Sequence, residues 1–350
     1  MLNGNFTLLN DIKISFTDSG APPNADDYPT LIILHGGGFG AASFQPIQSL
    51  APEANLRIVA LTRRGYTGST PYTDSEMQGF QEGTREALEG LAVVLVAFMK
   101  AFVEKEKIPS SGGIAIMGWS IGNLTTMSLF SNPDGLDPDT KSFLEVHLKH
   151  IILYDPPYQA LGLDLHPSFH TSRVYSPWTD TSMPTLDDKI SKFFYWASSS
   201  FEHNPIATLS TTSPDGYDFR QRANPGKCLV DSWSEEDKKK YWEASGVPSD
   251  VITFGPEFAA LLRQCTSKAL FSDSRFLPNL RFTYLYTTRG PWMTVYAYLE
   301  VKRLYEEYLR GENASLDMEF VGIEDVGHCA HQESSQRFVE VLRKALARQV

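Results

Sequence analysis

Ser120 carries the strongest chemical signal in the sequence. It stands in Gly113-Ile-Ala-Ile-Met-Gly118-Trp-Ser120-Ile-Gly122-Asn123. Ile114 to Met117 form a short apolar run suited to a strand buried on both faces, and Leu124 to Phe130 read as a helix. G-x-S-x-G between strand and helix fits a nucleophile elbow, a turn so tight that the serine backbone is strained. Side chains at Gly118 and Gly122 would collide there with neighbouring elements. The turn holds the Ser120 hydroxyl above the sheet at a helix N-terminus, which favours developing negative charge.

A serine hydroxyl is a poor nucleophile until a base takes its proton. Of the eight histidines, His328 lies in Asp325-Val-Gly327-His328-Cys-Ala-His331, on the loop between the last expected strand and the last helix. Parallel strands put their carboxyl ends on one sheet edge, so this loop opens beside the elbow. His331 competes, but falls in the first helical turn and is expected to orient the loop. His147, His150, His166, His170 and His203 read as packed or solvated.

The base needs a carboxylate to fix its tautomer. The usual place, the loop after the strand Arg281–Tyr286, reads Thr287-Thr-Arg-Gly-Pro-Trp292 and contains no acid. Asp155, closing the strand His150–Tyr154, is the nearest strand-end carboxylate on the correct edge. Asp325 is the runner-up, but precedes His328 too closely to reach the far ring nitrogen. Acyl transfer also needs donors aimed at an oxyanion. Gly36-Gly37-Gly38, directly after the strand Leu31–Leu34, and the N–H of Ile121 supply them. The glycine run does not complete a dinucleotide fingerprint, and no phosphate-binding Gly-Lys-Ser/Thr is present. No His/Cys/carboxylate cluster has metal-ligand spacing. No cofactor and no metal are expected.

Elements must position these residues. Phe6–Leu9 and Ile12–Phe16 read as a hairpin, Arg57–Leu61 as a strand, and Gly83–Val103 as an amphipathic helix. Alternating strands and helices imply a mostly parallel, doubly wound α/β sheet. From Tyr158 to Pro278 the alternation stops and aromatics crowd in, with helices at Thr185–Ser200, Glu235–Ala244 and Pro256–Ser267. A structureless loop of that length does not suit a compact domain, so a helical cap inserted at 158–278 is expected, with 1–157 and 279–350 as the core. The sheet resumes at Arg281–Tyr286, followed by a helix at Thr294–Leu309, a strand at Leu316–Val321 and a helix at Ser334–Ala347.

Composition narrows the partners. The 350 residues carry Lys+Arg 31 against Asp+Glu 42, a net charge of −11, which disfavours nucleic acid and anionic membranes. No stretch approaches the roughly 20 apolar residues of a membrane span. Three widely spaced cysteines form no disulfide framework, and the N-terminus shows no signal peptide, so a reduced, cytoplasmic protein is expected. The sequons at Asn5, Asn123 and Asn313 are then fortuitous.

The chain resembles the α/β-hydrolase superfamily, in its capped form, on four motifs in order. They are His35-Gly-Gly-Gly38, Arg64-Gly-Tyr-Thr-Gly-Ser69, Gly118-Trp-Ser120-Ile-Gly122 and Gly327-His328-Cys-Ala-His331. The resemblance implies Ser120 as nucleophile, His328 as base, and Gly37 or Gly38 with Ile121 as oxyanion donors. Some members, among them certain dehalogenases and fungal macrolactone hydrolases, carry the acid after the earlier strand. That supports Asp155 and points toward a lactone-type substrate. A serine nucleophile argues against dehalogenase and epoxide hydrolase chemistry, which needs a carboxylate to form the alkyl ester. The expectation is a serine hydrolase of a carboxylic ester or lactone with a bulky apolar body, its pocket lined by Trp119, Tyr158, Trp178 and Trp196. A carbon–carbon bond hydrolase or cyclase, and a slowly turning ligand-binding protein, are the alternatives.

Overall fold

The computed structural model describes residues 1–23, 25–222, 226–272, 275–311 and 316–347. In chain order the first half gives β1 (Leu2–Thr7), β2 (Lys13–Asp18), β3 (Thr30–Leu34), α1 (Gln45–Leu50), β4 (Arg57–Leu61), α2 (Asp74–Glu82) and α3 (Arg85–Glu106). Then come β5 (Ile114–Trp119), α4 (Gly122–Met127), α5 (Pro138–His147) and β6 (Leu148–Tyr154). Four helices follow without a sheet strand: α6 (Leu186–Ala197), α7 (Glu235–Tyr241), α8 (Val247–Ile252) and α9 (Pro256–Leu270). The chain closes with β7 (Arg281–Thr287), α10 (Trp292–Tyr308), β8 (Met318–Ile323), α11 (Ala330–Glu333) and α12 (Ser335–Ala347).

The eight strands make one sheet in the order β1-β2-β4-β3-β5-β6-β7-β8. β3 to β8 pair in parallel, and β1 and β2 add an antiparallel margin. The central strands are buried on both faces, so their apolar runs split by period two between two cores. Ile32, Leu34, Ile114, Ile116, Ile151 and Leu153 enter one core, beneath α3 and α9. Leu31, Ile33, Ala115, Met117, Ile152 and Tyr154 enter the other, beneath α1 and α12. The sheet therefore cannot slip by one residue without exchanging its two faces.

The N-terminal hairpin starts earlier than the sequence predicts, at Leu2. Leu8 N–H bonds the Ile12 carbonyl at 2.8 Å, and left-handed Asn10 and Asp11 turn the chain there, which takes residues 8 to 12 out of the ladder. The long helix predicted at 83–103 begins at Arg85, where the Thr84 hydroxyl accepts from Ala87 N–H and caps it. Helix α9 turns Phe258, Leu262, Cys265 and Leu270 into the core shared with α3, so it roots the β6–β7 segment on the sheet's flanking layer. Among the described residues, no helix is long and apolar enough to cross a membrane.

Candidate active site

The tightest turn follows β5. Ser120 has φ +55°, a left-handed backbone that costs an L-residue about 1–2 kcal/mol. The surroundings enforce it. A Cβ on Gly118 would lie 2.6 Å from Asn123 Cα, and one on Gly122 would lie 2.2 Å from the Leu34 carbonyl oxygen, so both positions exclude a side chain. Ser120 N–H donates to the Tyr154 carbonyl at 3.0 Å. Asn123 Nδ2 donates to the carbonyls of Ser120 and Tyr154, at 2.9 and 3.1 Å. That side chain is fully buried. The sequon at Asn5 lies on β1, and the one at Asn313 falls outside the described residues.

Asp155 leaves β6 as Ser120 leaves β5, also left-handed, at φ +46°. Its carboxylate is buried and bonded on both oxygens. Oδ1 accepts the Thr287 N–H at 2.9 Å, and Oδ2 accepts the Thr287 hydroxyl at 2.6 Å and His328 Nδ1 at 2.9 Å. A carboxylate in this setting only accepts, so Nδ1 carries the hydrogen and Nε2 of a neutral His328 keeps its lone pair. The backbone of His328 is held too: its carbonyl accepts from Trp119 Nε1 at 3.0 Å and the Tyr154 hydroxyl at 2.8 Å.

The competing residues point elsewhere. His331 is stacked on Phe44 at 4.4 Å and packed edge-on against Trp119 at 4.5 Å. Burial, aided by His328, holds its pKa well below the ordinary imidazole value. Asp325 is an exposed partner of Arg289 at 2.7 Å.

Ser120 and His328 line one cavity of about 40 Å³. Its core side adds Gly37, Ile121, Pro157, Met293 and Thr294, and its far wall comes from Trp178, α6 and α8, including Phe193, Trp196, Val251 and Asp250. Trp178 and Trp196 line this cavity. Trp119 and Tyr158 are not among the residues that line it. Trp119 is 1 % exposed beneath the elbow, turned inward by its bond to His328, and Tyr158 packs on Trp292 and Tyr296. A larger groove of about 690 Å³ runs between α3 and α5, but its Lys100 is bonded to Thr140 and its Asp137 caps α5.

Of the two glycines offered as oxyanion donors, Gly38 is already engaged. Its N–H donates to the Tyr66 hydroxyl at 3.0 Å, and its carbonyl accepts Glu243 N–H at 2.8 Å. The N–H groups of Gly37 and Ile121 have no hydrogen-bond partner among the described residues. Gly37 is also close to Ile121: a Cβ built on it would lie 3.4 Å from Ile121 Cγ2.

Sequence reasoning missed the group behind Gly37. Arg63 forks onto Asp250 at 2.7 and 2.8 Å, and the Tyr66 hydroxyl donates to Asp250 Oδ2 at 2.5 Å. Arg63 Nε also holds the His35 carbonyl at 2.8 Å. His35 Nδ1 donates to the Gly36 carbonyl at 2.8 Å, and its Nε2 accepts Arg63 N–H at 3.0 Å. Burial, then Arg63, pushes the His35 pKa far down, so it is a neutral spacer. Tyr66 stands in the Arg64–Ser69 motif without a role and Arg63 directly precedes that motif, and nothing in the sequence ties Asp250, 187 positions from Arg63, to them.

The α/β-hydrolase family model matches residues 31–341. No curated protein matches the sequence. Among solved structures, the chain is similar to epoxide hydrolase A from Mycobacterium thermoresistibile, with TM-score 0.57 and 13% identity over 98% of this chain and 97% of that one. An epoxide hydrolase from Vigna radiata gives TM-score 0.56 and 15% identity over 99% and 97%. A candidate aryl esterase from Burkholderia cenocepacia gives 0.53 and 13% over 99% and 98%. These likenesses concern the fold. The match over most of the length, on a sheet of this order, means that the chain belongs to the α/β-hydrolase family.

Proposed function

We propose that the protein is a serine hydrolase cleaving a carboxylic ester or lactone, with Ser120 as nucleophile, His328 as base and Asp155 as the acid that holds it. The observation carrying this reading is the bond from His328 Nδ1 to a buried Asp155, on the edge where Ser120 is forced out of β5. Ser120 Oγ attacks the carbonyl carbon while its proton passes to His328 Nε2. Asp155 stabilises the imidazolium, and the N–H groups of Gly37 and Ile121 receive the oxyanion. As the carbon–oxygen bond breaks, the proton goes to the leaving alkoxide. Water, deprotonated by His328, then attacks the acyl-enzyme and releases the acid and free Ser120.

The structural neighbours that are epoxide hydrolases do not redirect the reading. Opening an epoxide through an alkyl ester needs a carboxylate nucleophile, and this elbow presents a serine. The aliphatic and aromatic wall suits an apolar substrate. A ligand of drug size, however, fills roughly 300 Å³ or more, far above the 40 Å³ present. On this reading residues 158–278 form a cap rooted by α9, and its α6 and α8 shift to admit substrate.

The test is turnover of aryl esters and lactones of graded size by wild type and Ser120→Ala, with phosphonate labelling alongside. A loss of about 10³-fold or more in the variant assigns the chemistry to Ser120. No turnover and no labelling on any panel member would point to a ligand-binding protein instead.

A further inference from the structure

Gly37 N–H shares its peptide plane with the engaged Gly36 carbonyl and precedes the engaged Gly38 N–H, and both flanks of the glycine loop lead to Asp250 on α8. On one flank, the Gly36 carbonyl accepts His35 Nδ1–H at 2.8 Å and faces Arg63 Nη2 at 3.4 Å, and Arg63 is forked onto Asp250. On the other, Gly38 N–H donates to the Tyr66 hydroxyl, which donates to Asp250 Oδ2. Asp250 itself reaches the cavity, with Oδ2 3.3 Å from where a Cβ on Gly37 would stand. Both members of the ion pair have side chains under 10% exposed, so water does not compete for these bonds.

From this we infer that Asp250 is a positioning residue for the oxyanion hole, acting through Tyr66 and Arg63, so that Gly37 N–H is aimed only while α8 is docked on the core. The inference rests on the serine-hydrolase reading of the same site. Its chemistry is geometric. An oxyanion donor is worth most when it is oriented before charge develops. A Gly-Gly-Gly run has no side chains to orient it, so its peptide planes are set by what bonds to them. The carboxylate's own charge would oppose an oxyanion, but a bidentate guanidinium and a tyrosine hydroxyl spend it. Because the 40 Å³ cavity must open to load substrate, binding that redocks α8 also completes the hole, and a substrate unable to redock it is turned over slowly.

The experiment compares wild type, Asp250→Asn, Tyr66→Phe and the double variant on an ester and its thionoester, with Ser120→Ala as the control. Sulfur accepts hydrogen bonds weakly, so the thionoester draws little on the hole. The single variants are expected to lose about 10- to 100-fold in kcat on the oxo ester with KM within about threefold. The oxo-to-thiono rate ratio narrows by a similar factor, and the double variant loses no more than the larger single. Tyr66→Phe removes one hydroxyl, which keeps the test open even where Asp250→Asn folds poorly. An unchanged ratio, additive losses, or a rise in kcat for Asp250→Asn overturns the inference while Ser120-dependent turnover persists. Absence of any Ser120-dependent turnover in wild type overturns the catalytic reading and the inference together.

Discussion

Two buried carboxylates flank Ser120, and they are bonded for opposite purposes. Asp155 holds three hydrogens, two from Thr287 and one from His328, a ring whose charge changes during a proton transfer. Asp250 also holds three, two from Arg63 and one from Tyr66, groups that keep their protonation throughout. Burial and then Asp250 push the Tyr66 pKa well above its ordinary value, so that hydroxyl stays neutral. On the proposed mechanism one pair responds to charge at Ser120, while the other keeps its charge throughout. Thus a buried acid beside a nucleophile is assigned by the titration range of its partner, not by its own distance from the nucleophile.

Substitution can break this contrast. On the Asp155 side the losses should be largest: Ser120→Ala and His328→Gln are each expected to cost about 10⁵- to 10⁶-fold in kcat, and their combination no more, since they act as a unit. Asp155→Asn should cost about 10⁴-fold by favouring the wrong tautomer. Steady-state kinetics on the best ester of the panel check both. If Asp250→Asn cost as much as Asp155→Asn, the distinction between a responsive and a fixed pair would be lost.

A smaller effect tests the frame that both pairs share. Gly118→Ala puts a methyl 2.6 Å from Asn123 Cα and should destabilise the fold by about 1–3 kcal/mol, read as a lower urea midpoint at unchanged slope. The smallest effect concerns pH. His35 stands behind Asp250 and His331 behind the His328 loop, and burial lowers both pKa values far below the ordinary one. The unfolded chain therefore binds these protons more tightly. Stability is full above about pH 6.5 and falls as pH drops below it, by up to about 1.4 kcal/mol per pH unit for each histidine. Urea titrations at pH 7.5 and 5.5 should show the drop, and His331→Phe should reduce it.

The sequence carries the Asp155 side almost entirely and the Asp250 side hardly at all. Ser120 and Asp155 directly follow strands that end in buried apolar runs, and His328 lies on the loop after the last strand, so the strands, their common carboxyl edge and the residues on it follow from local pattern. Gly118 and Gly122 advertise the turn because no other residue fits it. Asp250 sits on α8, a helix of six residues with a Pro at its start and no periodic face to read. Its meeting with Arg63 and Tyr66 is decided by how the β6–β7 segment lies on the core, which no local signal encodes. Trp119 and Tyr158 pack away from the cavity for a related reason: an aromatic next to a candidate site residue is as readily the packing beneath it as the wall in front of it.

The carbonyl of His328 is held by Trp119 and Tyr154, the residues immediately before Ser120 and Asp155. Each of two adjacent strands thus delivers a candidate catalytic side chain and, one step earlier, an anchor for the loop that bears the third. The structural unit of this site is accordingly a pair of dipeptides, Trp119-Ser120 and Tyr154-Asp155. A designer transplanting the three reactive side chains without those two anchors would move the groups and leave their alignment behind.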